Sequence, residues 1–303
     1  MIDNSNDNQQ SPCVLLFGGT GWIGNKMIDL MKEKSIKYYV STNRLENRSE
    51  IIEEIKRVNP TSILNCAGIT GRPNIDWCED HKVETIRSNI IGTLNLLDIA
   101  NQCNVHVCNL ATGCIYQYDD KHPINSGIGF KEEEAYNYFG SFYSTAKQTV
   151  EQLSKNYPNT LTLRLRMPIS DSVQEPRNFI TKIKNYERVV NVPNSMSVLY
   201  DLLPVMLDMC CKQTVGVFNF VNPGVISHNE ILDLYKLHID PSFQYQNFSV
   251  EEQDRILKAG RSNNHLDTSK LESLYPNIPH IQTSIQDVFK RMKRNTSTPT
   301  TTN

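Results

Sequence analysis

Cys13-Val14-Leu15-Leu16-Phe17, running without a break into Gly18-Gly19-Thr20-Gly21-Trp22-Ile23-Gly24, is the stretch whose reading decides the fold. Five apolar residues in a row read as a strand buried on both faces, since a half-exposed strand would alternate. A helix pattern carried by Ile28, Leu30 and Met31 follows the glycines. Strand, glycine turn and helix in that order is the setting a dinucleotide-binding loop requires. Gly18 and Gly21 permit a tight turn and close approach of backbone to a pyrophosphate. That group then rests on the helix N-terminus beside Trp22 and Ile23, while Gly24 lets the helix lie close to the strand.

Downstream, a second strand over 37–42 ends in Asn43-Arg44. A basic residue there suits the 2′-phosphate of NADP, where an acidic one would grip the ribose hydroxyl of NAD. Arg44 therefore favours NADPH, without excluding NADH, and Arg48 lies near enough to serve instead. A helix over 50–58 and a strand over 62–67 complete the first βαβαβ half, and its exit through Ala67 and Gly68 should pass beneath the adenosine. The loop 70–77 follows a strand's carboxyl end, where ligands bind in doubly wound sheets, so Arg72 and Asn74 are candidate substrate contacts. The next helix shows Ile86, Ile90, Leu94 and Leu97 on one stripe, with Asn89 beside it. A fourth strand, 105–110, delivers Thr112 and Cys114 to one side if its exit stays extended. Residues 115–140 form a long loop, a length usually kept for function.

Ser141-Phe142-Tyr143-Ser144-Thr145-Ala146-Lys147 opens a helix on which Tyr143 and Lys147, four apart, share a face. A free phenol titrates near ~10, and an adjacent cation lowers that value. Such a group can hand a proton to a carbonyl oxygen as hydride reaches the carbon. Thr112, about thirty residues earlier, supplies a hydroxyl to steady the carbonyl. Beyond a strand at 161–165 the βα alternation weakens. A short helix over 176–182 sets Asn178 and Lys182 four apart. Ser227 and Glu230 form a capping box, and the polar run from Arg261 to Asn264 is a candidate phosphate contact. The fold class expected is α/β, a Rossmann-type doubly wound parallel sheet over 13–168. A smaller C-terminal α/β substrate lobe over 169–294 is expected, with some chain crossing back, and disordered ends at 1–12 and 295–303.

Composition narrows the function. The 31 basic and 33 acidic residues nearly balance, and no basic stripe interleaves with aromatics, so nucleic acid is not the expected partner. No apolar run approaches the ~20 residues of a membrane span, and residues 1–11 lack a signal peptide's pattern. A cytoplasmic protein is expected. The eight cysteines contain no C-x-x-C pair and the seven histidines no H-x-x-x-H, so reduced thiols and no metal site are expected.

Tyr143, Lys147 and Thr112, with a G-x-x-G-x-x-G turn, resemble the extended short-chain dehydrogenase/reductases. The segments TGRPNIDWCE, ATGCIYQYD, GIGFKEEE, GSFYSTAK, RMPIS, PRNFITKI, NPGVISHNEIL and RSNN are similar to the bifunctional 3,5-epimerase/4-reductases that turn UDP-4-keto-6-deoxy-glucose into UDP-L-rhamnose. The likeness runs from about residue 14 to about 290. It implies that Cys114 and Lys182 are the acid–base pair inverting C3 and C5, although an isolated cysteine alone would read as buried filler. It also implies that Lys147 holds the nicotinamide ribose and that Tyr143 protonates the C4 oxygen. These 303 residues hold no second glycine turn, as a 4,6-dehydratase domain would need, so a separate enzyme is expected to supply the 4-keto sugar. A homodimer is expected. Two other readings stay open. One is a 4-reductase alone, like the dTDP-4-dehydrorhamnose reductases. The other is a non-catalytic NADP-binding regulatory subunit, against which the complete Thr–Tyr–Lys set counts.

Overall fold

In the computed structural model, which describes residues 11–297, the chain opens with β1 (Cys13–Phe17), α1 (Trp22–Glu33), β2 (Lys37–Val40), α2 (Arg48–Val58) and β3 (Ser62–Asn65). A broken helical path follows: α3 (Trp77–Asp80), α4 (Lys82–Thr85), a π-helical stretch Ile86–Gly92 and α5 (Thr93–Gln102). Then come β4 (His106–Thr112), α6 (Phe142–Ser154), β5 (Thr160–Leu165), α7 (Phe179–Lys184), β6 (Arg188–Val189), α8 (Leu199–Cys211) and β7 (Gly216–Asn219). The last elements are α9 (His228–His238), β8 (Gln246–Asn247), α10 (Val250–Ile256), α11 (Ser269–Leu274) and α12 (Ile281–Ser297).

Six strands form one parallel sheet in the order β2-β1-β3-β4-β5-β7. The chain goes outward from β1 to β2, then returns to lay β3 on the other side of β1. This reversal leaves a crevice at the carboxyl ends of β1 and β3, the place where doubly wound sheets bind ligands. β1 is buried throughout. Its alternate residues serve two cores, Val14 and Leu16 with Met27, Leu163 and Met206 on one face, and Leu15 and Phe17 with Ile51, Ile55 and Leu97 on the other. Tight packing of the turn leaves no room for side chains. A Cβ on Gly18, whose φ is +78°, would lie 2.5 Å from Ala67 N, and one on Gly24 would lie 2.2 Å from Gly18 O.

A separate core gathers Ile169, Ile180, Ile183, Val198, Ile226, Ile231 and Phe289. Between its contributions, α8 and β7 return to the main sheet, with Leu202, Met206 and Phe218 in the sheet's own core. The capping box at Ser227 and Glu230 is formed.

Three expectations change. The apolar stripe of Ile86, Ile90, Leu94 and Leu97 does not face inward as a set, and of the four only Leu97 is fully buried. Thr85, Asn89, Gly92 and Thr93 are buried instead. The π-helical stretch packs against α6, and small residues are what such a close approach admits; Ile86 and Ile91 are left on the surface. Thr112, expected just past the fourth strand, is its last residue. α12 runs through Ser297, three residues into the stretch expected to be disordered. The rest of that expectation (298–303), like the one for residues 1–10, lies outside the described residues.

Candidate active site

At the carboxyl ends of the strands lies a pocket of about 330 Å³. Gly21, Trp22 and Ile23 enter it from the glycine turn, Ala67 and Gly68 from the exit of β3, and Thr112 and Cys114 from the exit of β4. Tyr143 and Lys147 reach it from α6, Lys182 from α7, and Asn74 and Arg261 from two loops at its rim. Gly18 and Gly24 shape the turn from behind.

The start of α6 is fastened at three points. Ser141 Oγ accepts a hydrogen bond from Ser144 N at 3.1 Å. Phe142 N donates to Glu79 Oε1 at 2.7 Å. Ser144 Oγ donates to the carbonyl of Cys114 at 2.6 Å, tying the helix that carries the phenol to the residue that carries the thiol. Cys114 N in turn donates to Thr112 Oγ1 at 3.1 Å. Asn89 clamps the neighbouring loop, accepting from Ile69 N and donating to Ile69 O, each at 2.8 Å.

Electrostatics correct one expectation. Burial pushes the Tyr143 phenol above its ordinary value, with Cys114 adding to the rise and a hydrogen bond with Thr112 opposing it. Desolvation thus outweighs any lowering by Lys147, because a charged phenolate loses more by leaving water than a phenol does. Burial also brings Lys147 down to about 8. Lys182 falls below its ordinary value for the same reason, helped by the positive charges of Arg177 and Arg261.

The glycine turn suits the pyrophosphate of a dinucleotide. α1 starts at Gly21 without a side-chain cap and without an acidic residue in its first turn, so its N-terminal amides are open to an anion. Arg48 is engaged by Asp98 at 2.7 Å and Asn95 at 3.1 Å. Arg44 is exposed and has no side-chain partner among the described residues, and neither arginine lines the pocket.

Other candidates are placed elsewhere. Arg72 is exposed and outside the pocket lining. Asn178 is fully buried at the N-terminus of α7, where Oδ1 accepts from Ile180 N and Nδ2 donates to Ser170 O at 2.9 Å; it braces a turn and does not reach the pocket. Asn74 does line it, but its Oδ1 accepts from Asp76 N at 2.8 Å. Of the polar run 261–264 only Arg261 faces the pocket, paired with Asp76 at 2.9 Å. Ser262 and Asn264 are buried and donate to Tyr116 O at 2.6 and 3.0 Å, bracing the exit of β4. Arg166, Ser144, Arg177 and Tyr186, to which the sequence assigns no role, prove to support or line the site. Among the described residues no three side chains are grouped to hold a metal, the eight cysteines are free thiols, and no helix is long and apolar enough to cross a membrane.

Known proteins resemble this chain over most of its length. The pattern of the NAD-dependent epimerase/dehydratase family matches residues 14–185. A bifunctional dTDP-4-dehydrorhamnose 3,5-epimerase/dTDP-4-dehydrorhamnose reductase of Arabidopsis thaliana is 50% identical over 97% of this chain and 98% of its own length. A trifunctional UDP-glucose 4,6-dehydratase/UDP-4-keto-6-deoxy-D-glucose 3,5-epimerase/UDP-4-keto-L-rhamnose-reductase of the same plant is 50% identical over 93% of this chain. The match spans only 42% of that longer protein. The crystal structure of the L780 UDP-rhamnose synthase from Acanthamoeba polyphaga mimivirus superposes with a TM-score of 0.88 at 39% identity, covering 92% of this chain and 99% of that one.

Proposed function

The chain belongs to the NAD-dependent epimerase/dehydratase family, and from that premise we propose that it inverts C3 and C5 of UDP-4-keto-6-deoxy-D-glucose and reduces C4 with NADPH, yielding UDP-L-rhamnose. The observation that carries this reading is the meeting, in one pocket, of Thr112, Tyr143 and Lys147 with Cys114 and Lys182. A reductase needs the first three. The thiol and the amine are surplus to reduction and suit proton exchange.

The ketone at C4 acidifies the protons on its neighbouring carbons. Cys114 removes a proton from one face of the sugar, and Lys182 returns one from the other. Lys182, whose ammonium form is weakened by burial and two nearby cations, gives up its proton more readily than a surface lysine. Gly18, Gly21 and Gly24 would hold the pyrophosphate of NADPH, which when bound would supply the hydride for C4. Tyr143 keeps its phenol proton until the C4 oxygen gains charge, because burial holds its pKa high. Lys147, at about 8, is still charged at neutral pH; it stabilises the phenolate as it forms and holds the nicotinamide ribose. Thr112 orients the carbonyl. Proton transfer of this kind typically contributes ~10²–10⁴ in rate. Arg44 favours the 2′-phosphate of NADPH. Arg261 and Asn74 stand at the mouth, where the nucleotide of the sugar enters.

In this reading residues 13–168 hold the cofactor and 169–294 the sugar, apart from α8 and β7. A separate 4,6-dehydratase supplies the 4-keto sugar. Two chains pair through the apolar surface of Val83, Ile86 and Ile91, and the enzyme works in the cytoplasm, where its thiols stay reduced.

The test is to supply the chain with UDP-4-keto-6-deoxy-D-glucose and either NADPH or NADH and to determine the product's stereochemistry by NMR. UDP-L-rhamnose, formed faster with NADPH, is expected. A D-configured product would leave only the reductase, and no consumption of either cofactor would favour a regulatory subunit. Cys114→Ser and Lys182→Met are each expected to slow inversion by about 10²-fold or more.

A further inference from the structure

We propose that Arg166 is a positioning residue that holds the Cys114 sulfur as a thiolate facing the pocket, ready to take the proton from the carbon beside the sugar ketone. This rests on the function proposed above and deepens it.

Arg166 lies immediately after β5 and is 1% exposed. Nη1 donates to Cys114 Sγ at 3.3 Å and to Ser262 Oγ at 3.1 Å. Nη2 donates to Ser262 O at 2.5 Å and to Asn194 Oδ1. Nε has no partner. Every oxygen in this set is neutral, and among the described residues no carboxylate pairs with the guanidinium. A buried ion without a counter-charge is strongly destabilising. Burial does lower the guanidinium's pKa, but an arginine does not give up its proton in a protein. The remedy has to be an anion at its side.

Four groups facing this space can become anionic: the thiol of Cys114, from the exit of β4; the phenol of Tyr143, from α6; and the phenols of Tyr118 and Tyr138, from the long loop. All three phenols are raised by burial. A thiol ordinarily ionises near ~8.5 and a phenol near ~10, and only the sulfur lies within hydrogen-bonding distance of the guanidinium. Lys147, Lys182 and Arg261 line the same pocket as the sulfur, and none of them is an anion that could answer the guanidinium in its place. Arg164, two residues earlier and equally buried, shows the alternative: it is closed off by Glu151, with Nη2 2.5 Å from Oε1, and leaves nothing for chemistry.

The step balances without a co-reactant. The thiolate sulfur forms an S–H bond with the proton of the carbon next to the ketone. The C–H electron pair becomes a carbon–carbon double bond as the carbonyl pair moves onto oxygen. When the enolate collapses, that carbon takes a proton from the Lys182 ammonium on the opposite face. The thiol and amine left behind exchange protons with water before the next inversion.

The test needs no sugar. The full chain is alkylated with iodoacetamide across pH 6.5 to 9.0, and Cys114 is followed by peptide mass spectrometry. The expected rates differ by less than about tenfold over that range, whereas an ordinary thiol titrating near ~8.5 would change by roughly 75-fold. Arg166→Met should move the profile toward the ordinary one and slow alkylation at pH 7 at least fivefold, with Arg166→Lys restoring part of the loss. An ordinary profile in the wild type overturns the proposal. So does an unchanged profile in an Arg166→Met chain that still melts cooperatively. If that variant does not fold, the wild-type profile decides alone. A parallel measurement follows deuterium uptake from solvent at C3 and C5 of the 4-keto sugar. No uptake by the wild type would strike the proposed function, while the alkylation profile would still decide the charge pair.

Discussion

Arg164 and Arg166 leave the same strand two residues apart, both are almost fully buried, and they sit in two different kinds of place. Around Arg164 every charge is answered. Glu151 accepts from Nε at 3.0 Å and from Nη2 at 2.5 Å, Asn219 Oδ1 accepts from Nη1 at 3.0 Å, and Tyr136 donates to Glu151 Oε1 at 2.8 Å. The knot fastens α6, β5, β7 and the long loop to one another. Around Arg166 the oxygens are neutral and one contact is a sulfur in the pocket wall. A closed set of charges holds a shape, and an open one lends its field to chemistry.

Substitutions in the two places should therefore move different quantities. The largest effect belongs to the open side: Tyr143→Phe should lower turnover of the 4-keto sugar by ~10²–10⁴ and unfolding free energy by no more than about 1 kcal/mol, read by steady-state kinetics and urea unfolding. Next comes the closed side. Glu151→Gln leaves a buried guanidinium unpaired and should cost about 3–5 kcal/mol in urea unfolding; a loss under about 1 kcal/mol would break the comparison. Ser144, bonded to Cys114 O, belongs to neither side, so Ser144→Ala should remove about 2 kcal/mol of stability together with some activity. The smallest effect sharpens the open side through pH. Lys147 has its value lowered to about 8, so its ammonium is present below that pH and lost above it. kcat/KM for reduction should thus fall as pH rises through 8, reaching about a tenfold loss by pH 9. Lys147→Arg keeps its charge and should remove that limb.

What was legible in the sequence had local spacing. The glycine turn and the Tyr143–Lys147 pair are readable because their residues meet within one turn of chain or one turn of helix. Arg166 and Ser144 were not, since their bonds to Cys114 span 52 and 30 residues. Asn178, Ser262 and Asn264 are ambiguous in the sequence for another reason. A polar side chain in a loop can serve a ligand or the backbone, and its identity does not say which. The helical stripe failed because apolar character was equated with the inward direction, where close helix packing selects Thr85, Asn89 and Gly92 instead.

The chain passes repeatedly between its two cores, leaving the sheet after β5 and coming back at α8, leaving again after β7, returning at α11 and ending in α12. Backbone bonds stitch these passages, Ser197 N to Arg166 O at 2.8 Å and Leu199 N to Ile169 O at 2.9 Å among them. Parts joined by several parallel straps cannot swing open about one hinge. Entry and exit of a bulky nucleotide sugar then fall to the loops at the pocket mouth, and the rate of release should depend on how often the Asp76–Arg261 latch unfastens.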